Sequence, residues 1–404
     1  MKILQISPQN VLPPTDGGKV GIYNIFKTLN KLGVQTDIAF YYDQIENIEY
    51  WNKWKNIGNL SPIQLNTENT KLRIISSFLT NQSLYLTKHI NKEVLSQFEN
   101  LIETNNYDVL LCDHTAMAPV GLYLKKKYNL PTFLRLHNIE YLIWERYYQE
   151  LNKLNPLKLF IGQQANLLKK YEEANYNKFD HVFTINENEK EFVKQMSPFS
   201  KIETISAGVD NEMWNYKDLD FEFKKENIIS IATNFNWVHN INGIDWFISE
   251  VLPLIKLEIP DIKLKLYGKG LPEKYKNIKS SGIFGVGFVE DIVKELKKSK
   301  VYIAPLFVGA GIRIKILEAM GCGLPVVATK VSADGIKANE NDGLFVSNDA
   351  SKQAQIIIDL LQNKNKLKLL SQNSATFIYE NYSWEKSISK MIEIIDITLK
   401  NHKK

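Results

Sequence analysis

Pro305-Leu306-Phe307-Val308-Gly309-Ala310-Gly311-Ile312-Arg313-Ile314-Lys315-Ile316-Leu317-Glu318-Ala319-Met320-Gly321-Cys322-Gly323-Leu324-Pro325 reads as a strand end, a glycine-rich loop, a helix and the start of another strand. Gly309 and Gly311 free backbone amides at a helix N-terminus, which makes an anion site. Arg313 and Lys315 fall two positions apart in the first turn of that helix. Cations at the positive end of a helix dipole are unfavourable, and an anionic ligand among them offsets the cost. Glu318, one to two turns on, is placed to accept two hydroxyl hydrogen bonds from a ribose. The competing reading is a surface helix with incidental charges.

Outward from this stretch the same alternation continues. Strands are expected at Ile228–Ala232, Lys263–Tyr267, Ile283–Phe288, Val301–Leu306, Pro325–Thr329 and Gly343–Val346, with helices between them and three helical patterns from Ala350 onward. The first half repeats the scheme. Lys2–Ser7 reads as a strand, and Ile22, Ile25, Phe26, Leu29 and Leu32 follow at helical spacing up to a C-capping Gly33. Val94, Leu95, Phe98, Leu101 and Ile102 mark a helix before the strand Val109–Cys112. The strand Thr132–Leu136, a helix over Leu157–Phe179, and strands His181–Ile185 and Ile202–Ser206 complete this half. Residues 210–227 lack periodicity and read as a linker. Strands separated by helices imply mostly parallel sheets, and 404 residues suit two such domains. The expected architecture is α/β, two Rossmann-like doubly wound lobes with a cleft between them, ligands lying beyond the carboxyl ends of the strands.

Composition excludes several classes. With 44% apolar and 24% charged residues the chain is globular. No apolar run reaches the roughly 18 residues of a membrane span, and Met1–Ser7 is too short and polar for a signal peptide. Cys112 and Cys322 imply no disulfide framework, which fits a reducing cytoplasm. A net charge of +5 does not argue for nucleic acid, but it is compatible with anionic substrates or with the inner face of the cell membrane. Among 50 basic residues the arginines are Arg73, Arg135, Arg146 and Arg313, each a hint that a planar, two-pronged donor is needed.

Two further constellations carry chemistry. The proline-rich loop Pro8–Asp16 ends in Gly17-Gly18 before a helix, where backbone amides meet phosphate; the spacing is not that of a nicotinamide fingerprint. Leu134-Arg135-Leu136-His137-Asn138-Ile139-Glu140, running on to Arg146, places His137 just past a strand's carboxyl end between two arginines. Asp218-Leu219-Asp220 lies in the polar linker, the wrong setting for a metal motif, and Cys112 with His114 is too small a set for zinc.

The 305–325 stretch resembles the donor-site signature of the family 4 glycosyltransferases, which have the GT-B fold, and the resemblance covers nearly the whole chain. Gly17-Gly18 is similar to that family's diphosphate loop, and Arg135–Glu140 to the segment with its active-site histidine. Thr204-Ile205-Ser206-Ala207-Gly208-Val209-Asp210 resembles its interdomain turn, and Asn234–Gly243 the opening of its donor lobe. Tyr267-Gly268-Lys269-Gly270 and Gly287-Phe288-Val289-Glu290-Asp291 are similar to its two base-side turns, and Tyr382-Ser383-Trp384-Glu385 to the start of its final helix. The sequence departs at Ala310, where many members carry a glutamate assigned to sugar hydroxyls, and in lacking the Arg and Lys that many carry early in the donor lobe. Arg313 and Lys315 stand in for those cations, as in relatives with a Gly-Xaa-Gly-Ile-Arg loop.

The resemblance implies a domain over residues 1–207 on the acceptor side, a nucleotide-sugar domain over 208–382, and a terminal helix over 383–404 that returns to the first domain. It implies transfer of a hexosyl unit with retained configuration, in polysaccharide or glycoconjugate synthesis. His137, Arg313 and Lys315 would be catalytic; Gly17, Gly18, Gly268, Val289, Gly309, Ala310, Gly311, Ile312 and Glu318 would hold the donor. UDP is expected ahead of GDP, with no metal and no cofactor. The acceptor class stays open among glycan, lipid-linked and protein-linked forms. A sugar-nucleotide epimerase of the same fold and a non-catalytic sugar-nucleotide-binding partner are the competing readings.

Overall fold

The computed structural model describes residues 1–12, 14, 17–43, 51, 56–209, 226–276, 278, 281–309 and 312–402. Most of the expected linker, Asp218-Leu219-Asp220 within it, and both Ala310 and Gly311 lie outside the described residues. The chain divides into two compact units, Met1–Ser206 with Ser387–Lys404, and Ala207–Lys386. The terminal segment thus joins the first unit from Ser387 rather than 383. Residues just before it are held in the second unit, where Val209 N donates to Tyr382 O at 2.7 Å and Val209 bridges Ser383.

In the first unit the described strands are β1 (Lys2–Ser7), β2 (Gln35–Tyr42), β3 (Leu60–Gln64), β4 (Val109–Asp113), β5 (Thr132–Arg135), β6 (His181–Thr184) and β7 (Ile202–Thr204). They form one parallel sheet in the order β3-β2-β1-β4-β5-β6-β7. β4 and β5 are buried along their whole length, which is why such strands read as unbroken apolar runs. The strand order reverses between β1 and β4, so the carboxyl ends of Ser7 and Asp113 flank the switch point where ligands of such sheets bind.

The second unit repeats the plan with β8 (Ile228–Ala232), β9 (Lys263–Tyr267), β10 (Ile283–Gly287), β11 (Val301–Ala304), β12 (Val326–Ala328) and β13 (Leu344–Val346) in the parallel order β10-β9-β8-β11-β12-β13. Its reversal lies between β8 and β11. β11 ends at Ala304, two residues before the expected Leu306, because Pro305 has no N–H to continue the ladder. Side chains then tie the chain down: Leu306 N donates to Ser332 Oγ at 3.0 Å, and Thr329 Oγ1 donates to the Leu306 carbonyl. β2 and β3 carried no sequence assignment. β3 contains Pro62, which is tolerated because β3 is an edge strand.

Gly243, in the helix Val238–Trp246, is where that helix meets the loop after β11. A Cβ there would stand 2.0 Å from the Pro305 carbonyl oxygen, a backbone atom already fixed by its neighbours. Gly243→Ala is expected to destabilise the second unit by about 1–3 kcal/mol through overpacking. The urea midpoint of unfolding reads this, and an unshifted midpoint would show that the loop yields without cost.

Candidate functional site

In the first unit the switch point is lined by charged groups that the sheet drives out of water. Asp113 closes β4 fully buried, and Arg135 closes β5 almost so. Arg135 Nη1 donates to Asp113 Oδ1 at 2.9 Å, and Gln5 Nε2 from β1 donates to Asp113 Oδ2 at 2.8 Å. His137 Nε2 lies 2.7 Å from the same Oδ1. The same Nε2 also lies 2.7 Å from Arg135 Nη1, so this ring nitrogen sits between a guanidinium donor and a carboxylate acceptor. Burial alone would raise the Asp113 carboxyl; the Arg135 charge and the His137 hydrogen bond outweigh it and hold the group well below the usual carboxylate range. The ring of His137 is thereby fixed from behind, while its side chain keeps a tenth of its surface exposed.

Gly18 belongs with this end of the sheet. Gly17 and Gly18 open the helix Gly17–Lys31, whose first turn carries no acid to oppose an anion. Further along the same helix, the Cβ of any larger residue at Gly21 would meet Arg135 Nη2 at 3.1 Å, so the helix lies directly on that guanidinium.

Behind His137 lies a second layer that the sequence did not reveal. His114 follows Asp113 at φ 103°, a conformation that favours glycine, and its ring centroid is 5.0 Å from that of His137. Its Nδ1 receives the Tyr85 hydroxyl at 2.7 Å and the Ala116 amide at 3.4 Å, which leaves Nε2 to face Glu140 Oε1 at 3.5 Å. Glu140 N in turn donates to Glu172 Oε1 at 3.1 Å. Burial raises the Glu140 carboxyl to about 7 and the Glu172 carboxyl to about 8. Burial pushes His114 well below its ordinary value and His89 down to about 4. The signal available for Asp113 was a charged residue closing an otherwise apolar strand. Nothing local announces the pairing of Glu140 with Glu172.

In the second unit the loop after β11 leads to the helix Ile314–Gly321. Arg313 is its N-cap residue, with non-helical backbone. Its guanidinium folds back over Gly309: Nη2 would lie 1.9 Å from a Cβ at that position, and Gly309 stands at φ 144°. Only glycine allows this approach. Nε and Nη2 of Arg313 are buried with no hydrogen-bond partner among the described residues. Burial lowers the pKa of the group, and the charge of Asp334 works the other way. Buried donors without acceptors are costly, and an anion delivered to this loop would satisfy them.

Lys315 and Glu318 are joined to each other, Nζ to Oε2 at 2.7 Å across one turn. Lys315 is half exposed, so the pair contributes little to stability and opens readily to a ligand. Ile312 and Val289 pack against the apolar cluster that includes Ile316 and Leu317, which brings the β10 turn and the Arg313 loop onto one support. Gly268, at φ 140° with Thr233 O 1.6 Å from where a Cβ would be, lines a cavity of about 440 Å³ with Lys269, Gly270, Gly287 and Phe288. That volume is within the range of small-molecule sites. Val289, Glu290 and Asp291, which follow Phe288, are not lining residues of it.

Comparisons with known proteins bear on the chain as a whole. Residues 15–213 match the model of glycosyltransferase family 4, and residues 226–363 match that of the group 1 glycosyl transferases. A 44.6 kDa protein of the cps region of Klebsiella pneumoniae is 24% identical over 409 residues, covering 97% of this chain and 99% of that one. A glycosyltransferase structure from Rickettsia africae superposes with a TM-score of 0.69 at 18% identity, covering 99% of each chain. HepE of Anabaena, determined in complex with UDP, superposes with a TM-score of 0.65 at 14% identity over 98% of this chain and all of its own.

The buried acids and histidines of the first unit make its stability depend on pH. Glu140 and Glu172 keep their protons in the fold where the unfolded chain, near 4.5, has released them. Their contribution is full below that value and is lost as pH rises through about 7 and 8. His114 and His89 have the opposite sign: folded values below 6.5 give stability that is lost as pH falls. Thermal unfolding across pH is expected to show a broad plateau between about 4.5 and 6.5, where the two signs oppose, and a decline from about 6.5 to about 8 that Glu172→Gln flattens. A midpoint that rises steadily from about 6.5 to about 8.5, or a decline untouched by Glu172→Gln, would contradict this.

Proposed function

We propose that this chain, which has the GT-B architecture of two Rossmann-like α/β units and carries glycosyltransferase family domains, is a family 4 glycosyltransferase that moves a hexosyl unit from a nucleoside-diphosphate sugar to an acceptor with retention of configuration. UDP is the nucleotide favoured ahead of GDP, and the UDP held by HepE supports that order. The acceptor belongs to polysaccharide or glycoconjugate synthesis, and the relative from a cps region supports such a setting. The observation that carries the reading is the half-buried Arg313, whose Nε and Nη2 are covered and without a partner among the described residues, with Nη2 folded over Gly309.

The chemistry assigns a role to each group. The bond between the anomeric carbon and the diphosphate oxygen breaks as the acceptor oxygen forms its bond on the same face. The proton of the acceptor hydroxyl passes to an oxygen of the leaving diphosphate, so no separate general base is required. Charge gathering on the diphosphate is met by Arg313, by Lys315 once it leaves Glu318, and by backbone amides of the glycine-rich loop. Glu318, released in the same exchange, takes the ribose hydroxyls. Gly268 and Val289 lie on the base side, with Ile312 supporting the loop. His137, its ring fixed by Asp113, hydrogen-bonds the sugar, and Gly17-Gly18 offer amides to the diphosphate. Ala310 supplies no carboxylate to the sugar, so the hexose hydroxyls must find other partners. The arginine and the amides replace a metal ion in neutralising the diphosphate.

The test is release of nucleoside diphosphate from a panel of UDP- and GDP-hexoses, with and without acceptor, in EDTA and in added magnesium. Release is expected only with an acceptor, and equally in EDTA. Interconversion of the donor sugar without release would identify an epimerase. Binding without either reaction would identify a non-catalytic partner. Activity abolished by EDTA and restored by metal would show that the diphosphate is neutralised in another way.

A further inference from the structure

The helix Lys71–Thr80 of the first unit has its apolar side turned outward. Leu72, Ile75 and Leu79 fall on one face at spacings of three and four, and they are 80%, 56% and 77% exposed. The inward position is polar: Ser77 is buried and bonded to Gln82 O and to Gln164 Nε2. Turning the helix over would bury the leucines, so its present orientation is specified by those hydrogen bonds.

The exposed face does not stop at this helix. Phe78 stacks near Phe160 with ring centroids 6.4 Å apart, and Gln163 Nε2 donates to Phe78 O and Asn81 Oδ1 at 3.1 and 3.0 Å. These contacts seat the helix against the beginning of the helix Leu157–Asn175, around which Leu154, Leu157 and Leu159 are 92%, 50% and 77% exposed. Single exposed leucines are ordinary, whereas a contiguous apolar patch marks an interaction surface. Its charge identifies the partner. From 69 to 92 and from 151 to 171 there is no Asp or Glu, in a chain that has 45 of them, while Lys71, Arg73, Lys153 and Lys158 stand among the leucines.

We propose that this face docks on an anionic lipid bilayer. The helix Lys71–Thr80 lies in the plane of the interface, its leucine stripe in the headgroup–acyl boundary and its cations at the phosphates. No described helix is long and apolar enough to cross a membrane, so the contact is with one leaflet. The inference rests on surface composition and is independent of the donor chemistry.

Flotation of the full chain with vesicles tests it, using phosphatidylcholine alone against equal parts of phosphatidylcholine and phosphatidylglycerol. Binding is expected to the anionic vesicles only, and to weaken with added salt. The pair Leu72→Ser with Leu79→Ser, and separately Lys71→Gln with Lys153→Gln, are each expected to lower that binding about tenfold or more at unchanged thermal stability. Failure to bind anionic vesicles, or binding indifferent to both pairs, would overturn the proposal. A wild-type dimer that the leucine pair dissolves, without vesicle binding, would overturn it in favour of a second copy of this chain.

Discussion

Two donors of one guanidinium are expensive to cover without acceptors, and the second unit does so with Nε and Nη2 of the half-buried Arg313, which have no partner among the described residues. Arg313 can lie over residue 309 only because that residue is glycine, at a φ that larger residues avoid. The loop reaches this conformation because β11 stops at Pro305, because Thr329 and Ser332 bind the Leu306 backbone, and because Gly243 lets a helix press on the Pro305 carbonyl. The hydrogen bonds stabilise the loop and offset part of the cost of the covered donors. Together they keep an electropositive group preorganised and poorly hydrated, the state in which it acts most strongly on a developing negative charge.

The first unit treats the same side chain in the opposite way. Arg135 is also buried at the carboxyl end of a strand, but it is paired with Asp113, and the pair is completed by Gln5 and His137. Its charge is spent on the carboxylate, so it does not serve as a second anion site. What it leaves is an imidazole with a fixed orientation, backed by the His114, Tyr85 and Glu140 chain. One arginine is therefore left for the proposed ligand and the other is tied into the scaffold, and the difference lies in whether a carboxylate closes the neighbouring strand.

The two parallel sheets were legible in the sequence because strands buried on both faces read as apolar runs, and because the glycine-rich loop marks a strand-to-helix turn. Gly309, Arg313, Lys315 and Glu318 could be placed on one loop and helix from spacing alone. The Lys315–Glu318 contact was equally readable from its separation of three residues, although the sequence had assigned each to a ligand. β3 escaped because Pro62 argues against a strand unless its edge position is known. Asp113, the residue that orients His137, looked like an ordinary strand end. The raised carboxyls of Glu140 and Glu172 depend on packing between residues far apart in the chain, which no local pattern encodes. The outward leucines of Lys71–Thr80 have helical spacing, but spacing alone does not say which side faces the core.

The central claim, that Arg313 is held unpaired to receive a diphosphate, is tested most directly by calorimetric titration of UDP, with GDP as a parallel ligand, into the wild-type chain and into Arg313→Lys. Lysine conserves the charge but cannot present two donors in a fixed plane to two phosphate oxygens. The account predicts that Arg313→Lys weakens binding of the preferred nucleotide by about tenfold or more, at the scale of one charged hydrogen bond of roughly 1.5–3 kcal/mol. Equal affinity in the two proteins would contradict it.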